Sequence, residues 1–237
     1  MSWHRGPLVG FDLETTGTDV ETDRIVTAAV VRLDADGGVQ EQRTWLIDPG
    51  VVIPEQAAAI HGISTDHART HGAPAAAAVE EVARTVAEVL RSGVPLVVMN
   101  ARYDLSLLDR ECRRHGAASV SERLGTVPSP VVDPLVIDKH VDKYRRGKRA
   151  LHALCAYYGV TLDDAHDASA DAVAAARVVR RMGEMHQPVG AMPLADLQGL
   201  QVRAAAEQSA SLQAYLRRTA DPAAVVEAAW PVIPRRR

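Results

Sequence analysis

An apolar, β-branched run, Ile25–Leu33, and a partly alternating one, Val39–Ile47, are separated only by Asp34-Ala35-Asp36-Gly37-Gly38. So short a link with paired glycines reads as a hairpin turn, and the flanking runs predict neighbouring antiparallel strands. An earlier run, Leu8–Phe11, leads through Asp12-Leu13-Glu14 into the turn Thr15-Thr16-Gly17, so the chain opens as a three-stranded meander. Beyond it the period changes. Ala75–Arg91 carries Val79, Val82, Val86, Val89 and Leu90 at helical spacing and stops at Gly93. Val94–Met99 reads as a buried fourth strand. Asn100 reads as the cap of a helix over Arg102–His115, with Leu105, Leu108 and Cys112 inward. Gly116–Pro130 reads as loop and Val131-Val132 as a brief fifth strand ending at Asp133. Further helices are predicted over Pro54–His61, Pro134–Tyr144, Arg149–Tyr158, Ala168–Met185 and Leu194–Arg218, with a last short one from Asp221-Pro222. Asp163–Asp167 is a polar loop. Strands reached through helices run parallel to the first. The expected class is therefore α/β, a mixed five-stranded sheet with strands 4 and 5 parallel to strand 1, flanked by helices.

Composition narrows the function classes. The 237 residues are 47% hydrophobic and 24% charged, which allows one generous domain or a domain with a small extension and excludes disorder over the whole length. Aromatics are only 4% and Phe11 is the single Phe, so the core must be built from Ala, Val, Leu and Ile. The net charge of −3 offers no global positive field for nucleic acid, so binding to it would need local basic patches or metal ions. Cys112 and Cys155 form no staple pattern and suit a reducing, cytoplasmic location. Met1–Arg5 has no apolar stretch behind its charge and does not read as a signal peptide. No apolar run is long enough for a transmembrane helix, so no membrane partner is expected.

The acidic residues carry the sharpest signal. Asp12 and Glu14 stand two apart on a strand and face the same side. Two like charges there either reach water at a strand end or hold a divalent cation, since hard oxygen ligands suit magnesium or manganese. Asp104 follows strand 4 in Asn100-Ala101-Arg102-Tyr103-Asp104, as a first-turn helix acid or a group at the sheet's active edge. In His166-Asp167-Ala168-Ser169-Ala170-Asp171 the five-residue spacing puts the histidine on the loop and Asp171 in the first turns of an alanine-rich helix. Asp167 or Ser169 is placed to cap that helix.

Taken in order, Phe11–Gly17, Asn100–Asp104 and His166–Asp171 resemble the three motifs of the DEDDh 3′–5′ exonucleases, the superfamily of bacterial proofreading subunits with a ribonuclease H-like fold. The resemblance covers roughly residues 7–186, and Pro54–Ile63 is also similar to a segment of that family. It implies two divalent cations, Mg or Mn, with Asp12, Glu14 and Asp171 on one, Asp12 and Asp104 serving the second, and His166 as the base that takes the proton from the attacking water. Thr15, Thr16 and Gly17 would hold the terminal sugar, with His61 and Asn100 bordering the substrate. Met99 stands where the family often has His, which removes one polar contact. Residues 5–186 are then the exonuclease domain and 187–237 a helical extension, where Leu194, Leu197, Leu200, Leu212, Tyr215 and Leu216 mark an amphipathic helix that packs on its own domain or docks a polymerase or other subunit. The run Lys143–Arg149 is either a solvated basic face or a contact for phosphates upstream of the cleaved bond, and Arg235-Arg236-Arg237 reads as a frayed tail.

The expected reaction is hydrolysis from the 3′ end of single-stranded or frayed DNA, releasing nucleoside 5′-monophosphates. RNA or very short oligonucleotides as substrate, and a binding module without catalysis, remain the alternatives.

Overall fold

The computed structural model describes residues 2–162 and 166–235. After a 3-10 turn at Trp3–Arg5, strands β1 (Leu8–Thr15), β2 (Ile25–Leu33) and β3 (Val39–Asp48) form the expected meander. Residues Leu8 to Glu14 pair with Leu33 back to Thr27, and β2 pairs antiparallel with β3. The 34–38 turn is closed by its own side chain, since Asp34 Oδ1 accepts the N–H groups of Asp36 and Gly38 at 2.9 and 2.8 Å. The chain then runs through α1 (Glu55–His61), α2 (Thr65–His71), β4 (Ala73–Pro74), α3 (Ala75–Arg91), β5 (Leu96–Val97), α4 (Ala101–Arg114), α5 (Val120–Leu124) and β6 (Val131–Val132). Helices α6 (Pro134–Val141), α7 (Leu151–Tyr158), α8 (Ala168–Met185), α9 (Gln187–Gly190) and α10 (Leu194–Thr219) complete it.

The sheet has six strands in the order β4-β3-β2-β1-β5-β6, with β5 parallel to β1 and β6 parallel to β5 as expected. The sixth is β4, a two-residue pairing with β3 that contains Pro74 and has no period to announce it. Three short helices also lie outside the sequence expectation: α2, α5 and α9, the last a single turn with Pro188 near its start. The α2 sequence Thr-Asp-His-Ala-Arg-Thr-His has no apolar stripe and is nucleated by the Ser64 hydroxyl, which accepts from His67 N–H. Helix α5 lies within the expected loop 116–130 and starts with a Ser119/Glu122 capping box, a legible signal in a segment too short to show a period. Among the described residues no helix follows Asp221. Its carboxylate closes only a turn, by accepting Ala223 N–H at 2.8 Å, and the tail continues in irregular form. The expected polar loop 163–167 lies partly outside the described residues.

Alternation along β1 divides the core. Val9, Phe11 and Leu13 point into an apolar layer covered by α3 and α4, with Val79, Val82, Val86, Leu105 and Leu108 opposite. Leu8 points the other way, into a layer built by Ala172, Ala175, Ala176 and Val179 of α8. Gly10, Asp12 and Glu14 share that second face. A Cβ on Gly10 would stand 2.1 Å from the backbone oxygen of Ala172, so α8 rests directly on the bare strand. Small residues on both sides make this approach possible.

The segment after α8 covers the β6 side of the sheet. Gln198 and Gln201 of α10 bond the strand's backbone: Gln198 Oε1 accepts Val131 N–H at 2.9 Å, and Gln201 Oε1 accepts Asp133 N–H at 2.7 Å. Gln201 Nε2 in turn donates to Val131 O at 2.9 Å. The final residues lie along α4, where Ser106 Oγ accepts Ile233 N–H and Arg110 donates to Ile233 O and Pro234 O. Arg235, expected in a frayed tail, forms a two-pronged pair with Asp109 at 2.9 Å on each prong, which anchors it; residues 236–237 lie outside the described ones.

The Gly10→Ala variant is expected to lose about 2–3 kcal/mol of stability, because the methyl group must push α8 off the strand. Chemical denaturation of the metal-free protein measures this directly, and a loss under about 0.5 kcal/mol would contradict the close approach.

Candidate active site

Parallel pairing of β1 with β5 puts the C-terminal ends of both strands at one edge of the sheet. Asp12 and Glu14 leave β1 there, on the α8 face. Asp104 arrives from the first turn of α4, is buried, and its Oδ1 accepts the backbone N–H of Leu13 at 3.2 Å, between the two β1 carboxylates in sequence. Asp171 arrives from the first turn of α8. That helix is capped by Asp167, whose Oδ1 accepts Ser169 and Ala170 N–H at 3.0 Å each, as its sequence suggested. His166, exposed and left-handed at φ 72°, turns the chain into α8. Glu14, His166 and Asp171 each offer one ligand atom, and these atoms lie within 4.8 Å of one another. All five acid and base candidates therefore meet at this edge.

The electrostatics are those of an uncompensated anionic cluster. Burial raises Asp12 well above the carboxylate range, and Asp104, Asp171 and Glu14 raise it further. Burial, with Asp171 and Asp167 nearby, pushes Glu14 up to about 7. Burial also raises Asp104 and Asp171, the latter pulled partly back by the His166 backbone and imidazole. Among the described residues none of these four carboxylates is ion-paired with Lys or Arg. Asp171 Oδ1 is buried with no hydrogen-bond partner. An orphaned oxygen among hard, crowded carboxylates fits a divalent cation and is costly without one.

The other candidates are placed differently from one another. Thr15 Oγ1 donates to Gly17 O at 2.7 Å and bonds Tyr103 Oη at 2.8 Å. Thr16 is buried, its hydroxyl donating to Asp23 Oδ1 at 2.8 Å and its N–H to Arg24 O at 3.0 Å. Gly17 abuts Asp23, whose carboxylate would stand 2.6 Å from an added Cβ. These hydroxyls pin the turn. His61, at the end of α1, adjoins the Thr15 backbone and His166, and burial lowers it from the ordinary imidazole value. Its Nδ1 accepts Ile63 N–H at 3.2 Å, so the remaining ring proton sits on Nε2, which is buried without a partner.

Asn100 does not cap α4. It takes the left-handed conformation at φ 61°, which asparagine tolerates, and its side chain makes no cap bond. The capping group is Asp133 at the end of β6. It is buried and accepts Asn100 and Ala101 N–H at 3.1 and 3.0 Å, Leu135 N–H at 2.9 Å and Trp230 Nε1–H at 3.2 Å. Tyr103 and Asp133 were not singled out from the sequence. Tyr103 stands beside Asp104 in the second motif, and Asp133 precedes Pro134 as an N-cap signal. In the basic run, Arg145 and Arg149 turn inward onto the buried Asp138, leaving fewer cations at the surface than the sequence suggested.

The RNase_T family model, described as exonuclease, matches residues 9–179. The chain belongs to this exonuclease family. Membership agrees with the DEDDh motifs and with the enzyme class expected from them, a 3′–5′ exonuclease. The exonuclease chain is 30% identical over 166 residues to a PolC-type DNA polymerase III of Lacticaseibacillus paracasei, spanning 70% of this chain and 10% of that protein. With the PolC-type polymerase of Streptococcus thermophilus it shares 28% over 172 residues, 72% of this chain and 11% of the other. It thus spans about a tenth of these relatives' length. Among solved structures, Escherichia coli exonuclease I in complex with a dT13 oligonucleotide superposes with TM-score 0.62 at 20% identity, covering 78% of this chain and 43% of that one. Exonuclease I from Methylocaldum szegediense gives 0.61 at 22%, covering 89% and 46%. The fold is the one these exonucleases share. No helix among the described residues is long and apolar enough to cross a membrane.

Raised carboxylates make the metal-free exonuclease sensitive to pH. Its native state holds protons on Glu14 up to about pH 7, whereas an unfolded glutamate releases them near 4.5. This stabilisation is complete below the unfolded value and is lost as pH rises through the native one. Metal-free protein is therefore expected to melt at lower temperature at about pH 8 than at about pH 6, with added Mn or Mg reversing the fall. Glu14→Gln should flatten this profile and weaken the metal response; an unchanged profile would contradict the raised Glu14 carboxylate.

Proposed function

We propose that this exonuclease hydrolyses the terminal phosphodiester bond at the 3′ end of DNA and releases nucleoside 5′-monophosphates. The observation that carries the reading is the convergence of Asp12, Glu14, Asp104 and Asp171, unpaired by any cation of the described residues, around an exposed His166. Asp12, Glu14, Asp104 and Asp171 would hold two divalent cations, Mg or Mn. Bound there, such ions supply the positive charge that an anionic phosphate needs as further negative charge develops on it.

The chain's own residues perform the rest. His166 accepts a proton from the attacking water at an imidazole nitrogen, which requires the neutral ring. Its left-handed backbone presents the ring from a loop tip, where it reaches both water and site. Tyr103 and Thr15 fix the Gly17 carbonyl, so the turn beside the terminal nucleotide keeps its shape. His61, beside the Thr15 backbone and His166, borders the same opening. Residues 5–186 form the catalytic unit and 187–237 its extension, of which α10 covers the β6 side. A polymerase or other subunit would meet the outer face of α10. Buried free thiols at Cys112 and Cys155 suit a reducing cytoplasm.

The decisive assay follows a 5′-labelled single-stranded DNA oligomer with Mg or Mn, beside a matched RNA. A ladder shortening from the 3′ end, faster on DNA, is expected. His166→Ala should slow it about 10²–10⁴-fold without abolishing metal binding, whereas Asp12→Asn should remove both. A wild-type rate in either variant would overturn the assignment, and faster cleavage of RNA would reverse the substrate preference.

A further inference from the structure

Two cavities outside the carboxylate cluster join into one groove between α6 and α10. The first, about 180 Å³, is walled by Asn100, Arg102 and Lys139 among others. The second, about 480 Å³, continues past Lys143, Tyr144 and Tyr215. They share Lys139, Gln208 and Leu212, so the floor is continuous. Asn100 sits at the end of β5, at the sheet edge from which the carboxylates emerge, so the groove starts beside the active site.

Its chemistry is selective. Lys139 is half-buried, and burial lowers its ammonium from the usual range, yet it forms no ion pair among the described residues. The nearest acids are already committed. Asp133 is saturated by backbone and indole N–H groups, and Asp138 by Arg145, Arg149 and Tyr158. Lys143 is likewise unpaired among the described residues, and Glu207 is the one exposed acid in the wall that offsets them. Two tyrosine rings lie open at the far end, Tyr144 at 85% and Tyr215 at 54% exposure. Each has a cation against its face, Lys143 at 5.8 Å and Arg218 at 5.8 Å. A protein of net charge −3 that gathers cations without carboxylate partners and exposed aromatic rings in one groove is matched to a polyanion carrying flat rings. An acidic peptide would satisfy the cations and leave the rings without a partner.

We propose that the groove between α6 and α10 holds the single-stranded nucleic acid upstream of the 3′ end, with Lys139 and Lys143 on phosphates and Tyr144 and Tyr215 stacked on bases. This rests on the exonuclease reading and extends it, because the α10 wall lies beyond the region matched by the exonuclease family model. The groove sets how tightly a long strand is held, and the carboxylate edge sets the cleavage of its end.

The test measures binding of fluorescein-labelled oligothymidylates of about four and about sixteen nucleotides by anisotropy in EDTA, where no cleavage occurs. Lys139→Ala/Lys143→Ala should weaken the long oligomer about tenfold and lower its salt slope by about 1.4, two phosphate contacts in single strands, with the short one unchanged. Tyr144→Ala/Tyr215→Ala should weaken the long oligomer with its salt slope intact. Lys148→Ala, from the same basic run but outside the groove wall, should change nothing. Unchanged long-oligomer affinity in the double lysine variant, with melting temperature retained, overturns the proposal. So does equal weakening by Lys148→Ala, or competition by polyglutamate as strong as by unlabelled oligothymidylate, which would assign the groove to a protein partner. Hydrolysis of the short oligomer with Mn keeps the two readings apart. Absent cleavage by wild type removes the exonuclease reading, whereas wild-type cleavage with unaltered long-strand affinity in the lysine variant removes the groove alone.

Discussion

The contact of α8 with Gly10 is the constraint on which the site depends. Strand β1 is central, and its α8-facing side carries Leu8, then Gly10, then Asp12 and Glu14. An ordinary side chain at the second position would hold the helix away from the sheet. With only hydrogens there, the Ala172 backbone reaches the strand, and Asp171, one residue earlier, is carried to the two β1 carboxylates. The alanine-rich face of α8 has the same physical meaning as the glycine: a helix must be thin to bring its backbone this close. The cost is an anionic cluster that burial and mutual repulsion oppose, and the offset must come from cations the chain does not itself provide.

Asp133 plays the complementary part on the other side. It is a buried carboxylate whose oxygens are bonded by backbone N–H groups from the starts of α4 and α6 and by the Trp230 indole. A buried charge satisfied so fully acts as a rigid joint. It fixes the first turn of α4, and hence Asp104, against the end of β6. It also ties residue 230 to a position close to the reacting edge, although nearly a hundred residues separate them in sequence.

Much of this was legible. The meander followed from alternation and one glycine-rich turn, the parallel strands from the helices between them, and the site from three ordered acidic motifs. What escaped had little periodic signal. The β4 pairing is two residues long, α2 has Ala68 as its one apolar residue, and α5 offers a capping box without an apolar stripe. Asn100 was misjudged for a clearer reason: asparagine favours both helix caps and left-handed turns, and local sequence cannot say which, because the competing cap belongs to Asp133 on another strand. The bond of Thr15 to Tyr103 is invisible locally for the same reason, since its partner comes from another part of the chain. Local chemistry was readable; commitments made across the fold were not.

The glutamines on β6 have a consequence for association. An open strand edge exposes a row of donors and acceptors that another chain can zip onto. Here Gln198 and Gln201 occupy the groups of β6 at one margin of the sheet, which is therefore no template for β-augmentation. At the other margin β4 pairs only with Ile47 and Asp48, and the outer edge of Val39–Leu46 has no strand beside it among the described residues. A strand of another chain that extends the sheet sideways must do so along β3, where the exposed charges of Glu41 and Arg43 stand guard.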